Sequence, residues 1–503
     1  MLALVCFGLR VASLVRPCLS DDEAIYAVVA REMLSGRTLY RDVADHKPPL
    51  IYLVYAITQA LGGPHGGMLL LHLLTIAVVL ATALLLARLV RQFGGLPAGS
   101  HAPFFAGLFY AVFTTTLLPF DALAANCELF MMLPLTASLL FFLRGQGTMH
   151  ARHLIAAGVL VGVAAFFKYQ AGIQLVLYFG ALATSSWRRP GRAILGAISI
   201  AFGVGAVLGI GIAVLARLDC LDSAWFWFRF NFAYIKTGFA PLDTSKRALV
   251  RISFVALSAA VLWFLGVAAA IRSIKPRSIG DDPRFARLAA AWLAVSAIAI
   301  TTGGRFFGHY FHQVTAPLAL LAAPAAARLW QTRRRLLLAS MGGPAVAFFL
   351  VALLQRPVFA AVGAAEPDYR RLAGIIEANA GPDDRLLIWG NLPVLYFTEE
   401  RQLGSRFVFS NYLTGLSPAT PSQSDPNVDA SPNIVPESWD MLEADLAARK
   451  PRLLVDTSPG NLAAYGKFPP RRFARLEAIV KRDYRPVAEA AGIRVLVRRE
   501  GAL

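Results

Sequence analysis

The stretch that decides the fold is residues 68–87, MLLLHLLTIAVVLATALLLA, which contains no charged residue. A helix of about 20 apolar residues spans the roughly 30 Å hydrocarbon core of a bilayer. The chain is 56% hydrophobic and only 16% charged, whereas soluble domains are about 25% charged. The sequence therefore predicts an α-helical polytopic membrane protein. The other clear candidate spans lie near 103–120, 127–143, 153–167, 169–187, 193–216, 249–271, 288–302, 311–327 and 336–356.

One further apolar run, from Met1 to about Val15, is shorter and contains Arg10. It is either a tilted first span whose arginine snorkels to the interface or part of a chain that starts further upstream. A cleaved signal peptide is disfavoured, because neither a basic n-region nor a small-x-small cleavage site precedes Asp21. With this run, about eleven membrane helices are predicted.

The formal net charge of +18 would suit nucleic-acid binding, but its distribution along the chain favours a membrane. Basic residues fall in alternate loops, as in the pairs Arg88 and Arg91 or Arg188 and Arg189, while most acids fall in the other loops. Basic loops stay in the cytoplasm. We therefore expect a multi-pass protein of the cell (inner) membrane that contacts lipids and no nucleic acid.

Two domains are predicted. Residues 1–360 form the membrane domain, with two large outer loops at 19–67 and 217–248, and residues 361–503 form an extracytoplasmic soluble α/β domain. The first loop contains two candidate interfacial helices, Asp22 to Leu34 and Pro48 to Leu61. We expect the second domain to act as a lid or an acceptor-docking domain. Its predicted elements are helices near 369–379 and 439–448, strands at 385–389, 407–409, 452–456 and 493–497, and a loop at 417–436.

The acidic run Ser20-Asp21-Asp22-Glu23 follows the first apolar run directly. It matches the S-x-x-E capping box, so the acids would begin a helix and complement its dipole. The alternative is functional, because carboxylates beside a bilayer are unfavourable unless they face water or a partner. In that interpretation Asp22 or Glu23 is a general base, or a metal ligand, in an outward cavity.

The turn His46-Lys47-Pro48-Pro49 lies in the same predicted outer loop. The prolines suit the first turn of a helix, and a lysine at that point favours an anion such as a phosphate. Lys47 is thus a candidate phosphate contact that His46 assists. The alternative is an interfacial lysine directed to lipid headgroups.

Three further charged residues lie in predicted outer turns. Asp121 and Glu128 flank the turn before the span at 127–143, where Glu128 also suits a helix cap. Lys168 separates two apolar runs with almost no loop, so its charge should face the interior of the bundle. All three are candidate cavity residues.

The segment Gly303 to His312, GGRFFGHYFH, brings an arginine and two histidines to the same membrane side. Arg305 suits bidentate recognition of a phosphate, and His309 and Tyr310 are further cavity candidates. The alternative is an interfacial aromatic belt with an anchoring arginine.

Several motifs resemble one known family. They are DDEAIYAVVAREMLSG at 21–36, HKPPLIYLVYAI at 46–57, the turn with Asp121, FFKYQAG at 166–172 and RFFGHYFHQVTAPLALLAA at 305–323. Together they resemble the multispanning GT-C glycosyltransferases of the family 39 type, which includes protein O-mannosyltransferases and lipid A aminoarabinose transferases. The resemblance covers roughly residues 15–330.

This resemblance implies a polyprenyl-phosphate-linked sugar as donor on the extracytoplasmic face. It implies Asp22 and Glu23 as the catalytic acids and Lys47 as a donor-phosphate contact, with Asp121, Lys168 and Arg305 as further site residues. The acceptor and the sugar stay undefined. The sequence also leaves open whether a divalent metal ion takes part, and the four cysteines show no metal-binding spacing.

The leading functional hypothesis is sugar transfer from the lipid carrier to a hydroxyl of a lipid, glycan or protein. The main alternative is a transporter or lipid flippase, for which charges near the midplane and two related halves would be expected. We find no internal repeat in the sequence. A membrane-anchored scaffold would leave the outer acids unexplained.

Overall fold

The structure is a computed structural model that describes residues 1–15, 18, 20–117, 119–148, 150–274, 283–354 and 366–500. Five of its described helices are long and apolar enough to cross a membrane, and a bent pair of helices would form a sixth span. Three shorter apolar helices accompany them. The chain is therefore a multi-pass α-helical membrane protein, while the number of eleven spans stays a prediction. The predicted domain boundary at 360/361 lies outside the described residues.

The first part of the chain is almost entirely helical. Short 3₁₀ turns at Tyr169–Ile173 and Gly308–Phe311 interrupt it. Its α-helices are α1 (Leu2–Leu14), α2 (Asp21–Leu34), α3 (Leu50–Phe93), α4 (Ala102–Phe113), α5 (Pro119–Leu123), α6 (Cys127–Thr148), α7 (Ala151–Phe167), α8 (Gln174–Ser185), α9 (Pro190–Arg217), α10 (Leu221–Thr237), α11 (Pro241–Ser258), α12 (Ala260–Ile274), α13 (Pro283–Thr301), α14 (His312–Thr332) and α15 (Arg334–Leu354).

The predicted interfacial helix at Pro48–Leu61 and the span at 68–87 are the two arms of α3. They meet at a kink where Gly63 has φ 68° and ψ −174°, followed by Pro64. A side chain would disfavour that φ, and a proline within a helix removes a hydrogen bond. The kink lets α3 change direction within one continuous helical segment.

The span predicted at 249–271 is instead divided between α11 and α12, which are bent by 100° at Ala259. The cause is the composition of α11, which contains Lys246, Arg247 and Arg251 and is amphipathic rather than apolar throughout. Such a helix is stabilised at an interface more readily than across the hydrocarbon core. This bend keeps two arginines beside the candidate site.

Arg10 does not snorkel, contrary to one of the sequence-based expectations. Its side chain is 1% exposed, and its guanidinium donates to the carbonyl oxygens of Ala122 (2.8 Å) and Leu123 (3.3 Å). Both carbonyls lie at the end of α5, where helical carbonyls lack partners within the helix. Arg10 therefore fixes the short helix that contains Asp121.

The helices of the bundle approach closely where small residues meet. A Cβ atom at Gly158 on α7 would lie 2.1 Å from the carbonyl oxygen of Ile200 on α9, and one at Gly203 would lie 2.2 Å from that of Ile155. Small residues permit this approach of helix backbones in membranes. The opposite surface of α9 exposes large apolar side chains such as Phe202 and Ile210, as expected of a helix that faces lipid.

The C-terminal part contains a four-stranded sheet with the order β1-β2-β4-β3. Strands β1 and β2 are parallel, and β4 is antiparallel to both β2 and β3. The elements are α16 (Glu366–Asn379), β1 (Leu386–Trp389), α17 (Pro393–Thr398), α18 (Asn411–Thr414), α19 (Pro421–Ser424), α20 (Ser438–Arg449), β2 (Leu453–Asp456), α21 (Ala474–Asp483), β3 (Tyr484–Ala490) and β4 (Ile493–Arg498).

The predicted α/β class of this part is confirmed, with two differences. The predicted strand at 407–409 is absent from the described sheet, and Phe407 forms only an isolated bridge with Ala44 of the first loop. The edge strand β3 was not predicted, because its sequence YRPVAEA alternates weakly and contains a proline. Three strands, β1, β2 and β4, lie where the sequence predicted them.

The C-terminal part and the first loop share one apolar core, and this places the candidate site between them. Buried side chains of α2 and of the first turns of α3 pack in the same cluster as Leu395 of α17 and Trp389 of β1. Arg31 of α2 also donates to the carbonyl oxygen of Tyr396 at 3.1 Å. The sheet is thereby held against the end of the bundle where α2 lies.

Candidate functional site

A cavity of about 940 Å³ lies between the helical part and the C-terminal part. We call its helical side the floor, formed by residues from positions 20–47, 121, 230–251 and 305–309. We call its C-terminal side the roof, formed by residues 391, 409, 411, 412, 415–420, 423, 424, 432–436 and 463. The predicted loop at 417–436 therefore supplies much of the roof.

The charges around the cavity all belong to the floor. Its carboxylates are those of Asp21, Asp22, Asp45 and Asp121, and its permanent cations are Lys47, Arg247, Arg251 and Arg305. Two histidines, His46 and His309, line the floor as well. Among the lining residues that the structure describes, the roof contributes no charged side chain.

Asp22 and Lys47 form an ion pair at the centre of the floor. The Nζ of Lys47 donates to Oδ1 of Asp22 at 2.7 Å and to the hydroxyl of Tyr26 at 2.7 Å. The same ammonium lies 4.5 Å from the centre of the Tyr26 ring. Both charged side chains remain partly accessible, Asp22 at 28% and Lys47 at 26%. The pair can therefore meet a ligand in the cavity.

The turn before α3 holds Lys47 in this position. Oδ1 of Asp45 accepts from the backbone N–H groups of His46 (2.5 Å) and Lys47 (3.2 Å). The hydroxyl of Tyr40 donates to the carbonyl oxygen of Lys47 at 2.9 Å, and Asn231 of α10 donates to that of His46 at 2.9 Å. Because Pro49 precedes the first residue of α3, the prolines begin the helix as predicted.

The pair is electrostatically strong. Burial alone would raise the pKa of Asp22, but Lys47 and His309 outweigh burial and lower that pKa to about 2. Burial would likewise lower the pKa of Lys47, yet Asp22 and Asp45 raise it above its ordinary value. Both side chains are therefore charged at neutral pH.

His46 lines the floor but does not add a positive charge at neutral pH. Burial lowers its pKa to about 4, and Asp45 offsets burial only in part. Its Nδ1 lies 3.0 Å from the hydroxyl of Tyr412 in the roof. As a neutral side chain, His46 connects the floor with the roof by a hydrogen bond.

Glu23 does not reach the cavity, although the sequence placed it beside Asp22 in an outward site. Its side chain is fully buried, and Oε1 accepts from the backbone N–H of Ala125 at 2.6 Å and lies 3.5 Å from Nε2 of His72. Adjacent residues of a helix point in directions about 100° apart. Ser20 caps α2 by accepting from the backbone N–H of Glu23 at 3.3 Å. Of the two acids that the sequence proposed for catalysis, Asp22 is therefore the one that lines the cavity.

Asp121 and His309 form a second pair on the floor. Nδ1 of His309 donates to Oδ1 of Asp121 at 3.1 Å, and the backbone N–H of Gly308 donates to Oδ2 of the same carboxylate at 3.1 Å. Nε2 of His309 lies 3.8 Å from Oδ2 of Asp22. The structure thus connects the motif at 305–312 with α2.

Glu128, Lys168 and Tyr310 lie behind the floor and do not line the cavity. Lys168 forms an ion pair with Glu128, and its ammonium lies 3.8 Å from the centre of the Tyr310 ring. Oε1 of Glu128 also lies 3.8 Å from Nε2 of His309. As predicted, Lys168 faces the interior, but it supports the site from below and does not contact the cavity.

Arg305 lines the floor while its guanidinium is committed to neighbouring groups. It forms hydrogen bonds with the carbonyl oxygens of Pro418 and Tyr234 and with the hydroxyls of Thr237 and Ser417. Its guanidinium carbon lies 3.9 Å from the centre of the Tyr234 ring. These contacts fasten the roof segment at 417–418 to the floor.

Sequence reasoning missed Arg247 and Arg251, which line the floor from α11. Arg247 donates to the carbonyl oxygen of Gly304 at 2.7 Å. Their spacing of four residues on an amphipathic helix was the available signal, since it places both side chains on one helix face. The prediction of a membrane span at 249–271, which includes Arg251, obscured this pattern.

Neither a metal site nor a disulfide is found among the described residues. No group of three or more His, Cys, Asp or Glu side chains there is placed to hold a metal ion. The four cysteines are buried and free.

Comparisons with known proteins agree on the fold. Neither a family model nor a curated protein sequence matches this chain. Among solved structures, ArnT from Cupriavidus metallidurans bound to undecaprenyl phosphate is similar over 100% of this chain and 98% of its own, with 16% identity and a TM-score of 0.61.

Two structures of an archaeal enzyme from Archaeoglobus fulgidus are also similar. The oligosaccharyltransferase of this organism in complex with Zn and sulfate is similar over 98% of this chain and 72% of its own, with 15% identity and a TM-score of 0.55. AglB in complex with an inhibitory peptide and a dolichol-phosphate matches 100% of this chain and 74% of its own, with 13% identity and a TM-score of 0.55. These likenesses confirm the GT-C fold that the sequence motifs predicted.

Proposed function

We propose that the protein transfers a sugar from a polyprenyl-phosphate carrier to a hydroxyl acceptor within the cavity between floor and roof. The observation that supports this function most strongly is the Asp22–Lys47 ion pair, which faces a cavity of about 940 Å³. The fold of the protein supports the same function, because the similar structures include proteins bound to undecaprenyl phosphate and to a dolichol-phosphate.

Lys47 is the proposed contact for the carrier phosphate. An ammonium group has three N–H donors, and Asp22 and Tyr26 are the partners of two of them within the described part of the chain. The third is available to a phosphate oxygen. As the sugar leaves the carrier, negative charge grows on that oxygen, and a fixed cation stabilises it.

Asp22 is the proposed contact for the acceptor hydroxyl. Its second oxygen, Oδ2, makes no closer charged contact in the described residues than the 3.8 Å to His309. A carboxylate in this position accepts a hydrogen bond from the hydroxyl and directs its oxygen at the sugar. Arg247 and Arg251 contribute further positive potential to the floor.

The proposed location of this site is the extracytoplasmic face of the cell membrane. The cavity lies at the helix ends that carry α2 and the 303–311 turn, whereas the arginine-rich connections at 188–192 and 333–335 lie at other helix ends. Basic connections are retained in the cytoplasm. A flippase or transporter is less well supported, because the described charges concentrate in a cavity at the end of the bundle.

The proposed function is tested in a strain that lacks the gene. Thin-layer analysis of its lipid extract should show a polyprenyl-phosphate-linked sugar that accumulates, and the wild-type gene should remove it. Asp22→Asn should not remove it, whereas the control Asp219→Asn should, since Asp219 is fully exposed. A lipid pool that is identical with and without the gene contradicts the proposal.

A further inference from the structure

His309 stands between three carboxylates contributed by three different elements. Its Nδ1 lies 3.1 Å from Oδ1 of Asp121 in α5, and its Nε2 lies 3.8 Å both from Oδ2 of Asp22 in α2 and from Oε1 of Glu128 in α6. The imidazole is 7% exposed and lines the cavity. One of its nitrogens is therefore bound to the protein, while the other lies on the side of Asp22.

The orientation of the imidazole is fixed from behind. Both oxygens of Asp121 are used, one by Nδ1 of His309 and one by the backbone N–H of Gly308. The ring also stacks on Phe307 with centroids 5.6 Å apart and an interplanar angle of 20°. Arg10 fixes the carbonyls that directly follow Asp121. Because a carboxylate only accepts, Nδ1 carries the hydrogen and Nε2 of the neutral ring has a free lone pair.

Asp22 is poorly suited to take a proton near neutral pH. The pKa of its carboxyl is about 2, because Lys47 and His309 outweigh the effect of burial. A general base works best when its pKa lies near the working pH. For His309, burial lowers the pKa, but Glu128 and Asp121 outweigh burial and raise it above its ordinary value.

We infer that His309 is the general base of the sugar transfer, that Asp121 is its positioning residue, and that Asp22 orients the acceptor hydroxyl. This inference rests on the proposed function and assigns the proton transfer within it. The geometry is that of a carboxylate–histidine pair whose second nitrogen faces the substrate side. Glu128 and Asp22, which are also paired with Lys168 and Lys47, lie 3.8 Å from Nε2 and stabilise the imidazolium that forms.

The acceptor O–H proton moves to Nε2 of His309 as the acceptor oxygen bonds to the anomeric carbon of the sugar. The bond between that carbon and the phosphate oxygen breaks, and its electron pair leaves on the polyprenyl phosphate beside Lys47. The imidazolium then releases its proton to water in the open cavity, which restores the neutral ring.

The pH profile of kcat/KM separates the two candidate bases. If His309 is the base, kcat/KM rises with pH through an ionisation above about 6.5, the ordinary histidine pKa, because only the neutral ring accepts a proton. If Asp22 is the base, its own ionisation adds no limb between about pH 5 and 8, since a carboxyl with a pKa near 2 is ionised throughout that range. Asp21 also lines the cavity, and burial raises the pKa of its carboxyl to about 6, so the shift of the limb in Asp121→Asn is what assigns it to His309. Wild-type protein in nanodiscs with a labelled polyprenyl-phosphate sugar, and with a membrane extract as the source of acceptor, provides the measurement.

Two variants complete the test. His309→Gln should lower kcat/KM by about 100- to 10,000-fold, as for loss of a general base. Asp121→Asn should lower it and also move the acid limb to lower pH, because removal of a negative charge lowers the pKa of His309. The control is His65→Gln, since His65 is 60% exposed and lies outside the cavity lining.

The outcomes are distinguishable. Wild-type transfer with a flat profile, or a His309→Gln variant with wild-type rate and profile, overturns the inference and leaves the proposed function intact. Wild-type protein that transfers no sugar from any polyprenyl-phosphate donor contradicts the proposed function, and the inference with it. If His309→Gln is unstable, an unshifted acid limb in Asp121→Asn still overturns the inference.

Discussion

The floor and the roof of the cavity differ in kind. The floor contributes four carboxylates and four permanent cations, whereas the described roof contributes hydroxyl, amide, aromatic and aliphatic side chains without charge. Charge stabilisation of a transition state needs fixed ionic groups, while enclosure and recognition need shape and hydrogen bonds. The difference supports the proposal that the chemistry belongs to the helical part and that the C-terminal part encloses the substrates.

Apart from loss of the proposed base His309, the largest effect is expected from removing the charge of Asp22. Asp22→Asn keeps the size of the side chain and one acceptor oxygen but removes the anion that pairs with Lys47. We expect sugar transfer in isolated membranes to fall about 1,000-fold, in the range seen for loss of one preorganised group. Asp219→Asn, at an exposed position, should retain the wild-type rate. A wild-type rate of transfer in the Asp22→Asn variant would contradict the assignment of the chemistry to the floor.

A somewhat smaller effect is expected at Lys47. Lys47→Met removes the proposed phosphate contact and leaves Asp22 without its ion-pair partner, so we expect kcat/KM for the donor to fall about 100-fold. Since Lys47 is the main cation that lowers the pKa of Asp22, the pKa should rise in the variant. Below the acid limb of His309, activity should then be lost at a higher pH on acidification than in the wild type. A variant with an unchanged donor KM and an unchanged pH profile would contradict this role.

Arg305 tests the connection between floor and roof. Arg305→Lys keeps the charge but cannot reproduce the hydrogen bonds to Pro418, Ser417, Thr237 and Tyr234. We expect the free energy of unfolding to fall by about 1.5–3 kcal/mol, the usual contribution of hydrogen bonds to a charged group. Denaturant unfolding in detergent measures it, with the exposed Arg333→Lys as control. An unchanged stability would show that the roof is held elsewhere.

The smallest effect is expected in the roof itself. Asn433 lines the cavity, and Asn433→Ala is expected to remove one neutral hydrogen bond to a ligand. One such bond is worth about 0.5–1.5 kcal/mol, so we expect the acceptor KM to rise less than about 20-fold with kcat unchanged. Steady-state kinetics with varied acceptor checks this. A loss of kcat as large as that of Asp22→Asn would assign chemistry to the roof.

The same contrast explains what the sequence could predict. Part of the floor could be predicted, because a charged residue beside an apolar run is conspicuous in a sequence. Asp22, Lys47, Asp121, Arg305 and His309 were predicted from that signal, and all of them line one cavity. The sequence could not decide whether Asp22 or Glu23 faces the cavity. It depends on the rotation of α2 against the turn at Ala125, which is a tertiary contact.

The position of the roof could not be predicted from the sequence, for a physical reason. Its residues are uncharged and lie on loops and short helices whose path depends on contacts such as those of Arg305 with the 417–418 segment. A loop of that composition has no periodicity that would predict its position. By contrast, the apolar strands β1, β2 and β4 were predictable because buried strands read as continuous apolar runs.

The most direct test of the account is made with purified protein in nanodiscs, a polyprenyl-phosphate-linked sugar labelled in the sugar, and a membrane extract as the source of acceptor hydroxyls. Release of free polyprenyl phosphate and loss of label from the lipid are followed for the wild type and for Asp22→Asn, together with binding of the carrier lipid. We predict that the wild type releases the carrier, and that Asp22→Asn binds the lipid but releases it about 1,000-fold more slowly. Equal release by both proteins, or no release by the wild type with any sugar carried on this lipid, would contradict the assignment of the chemistry to the floor.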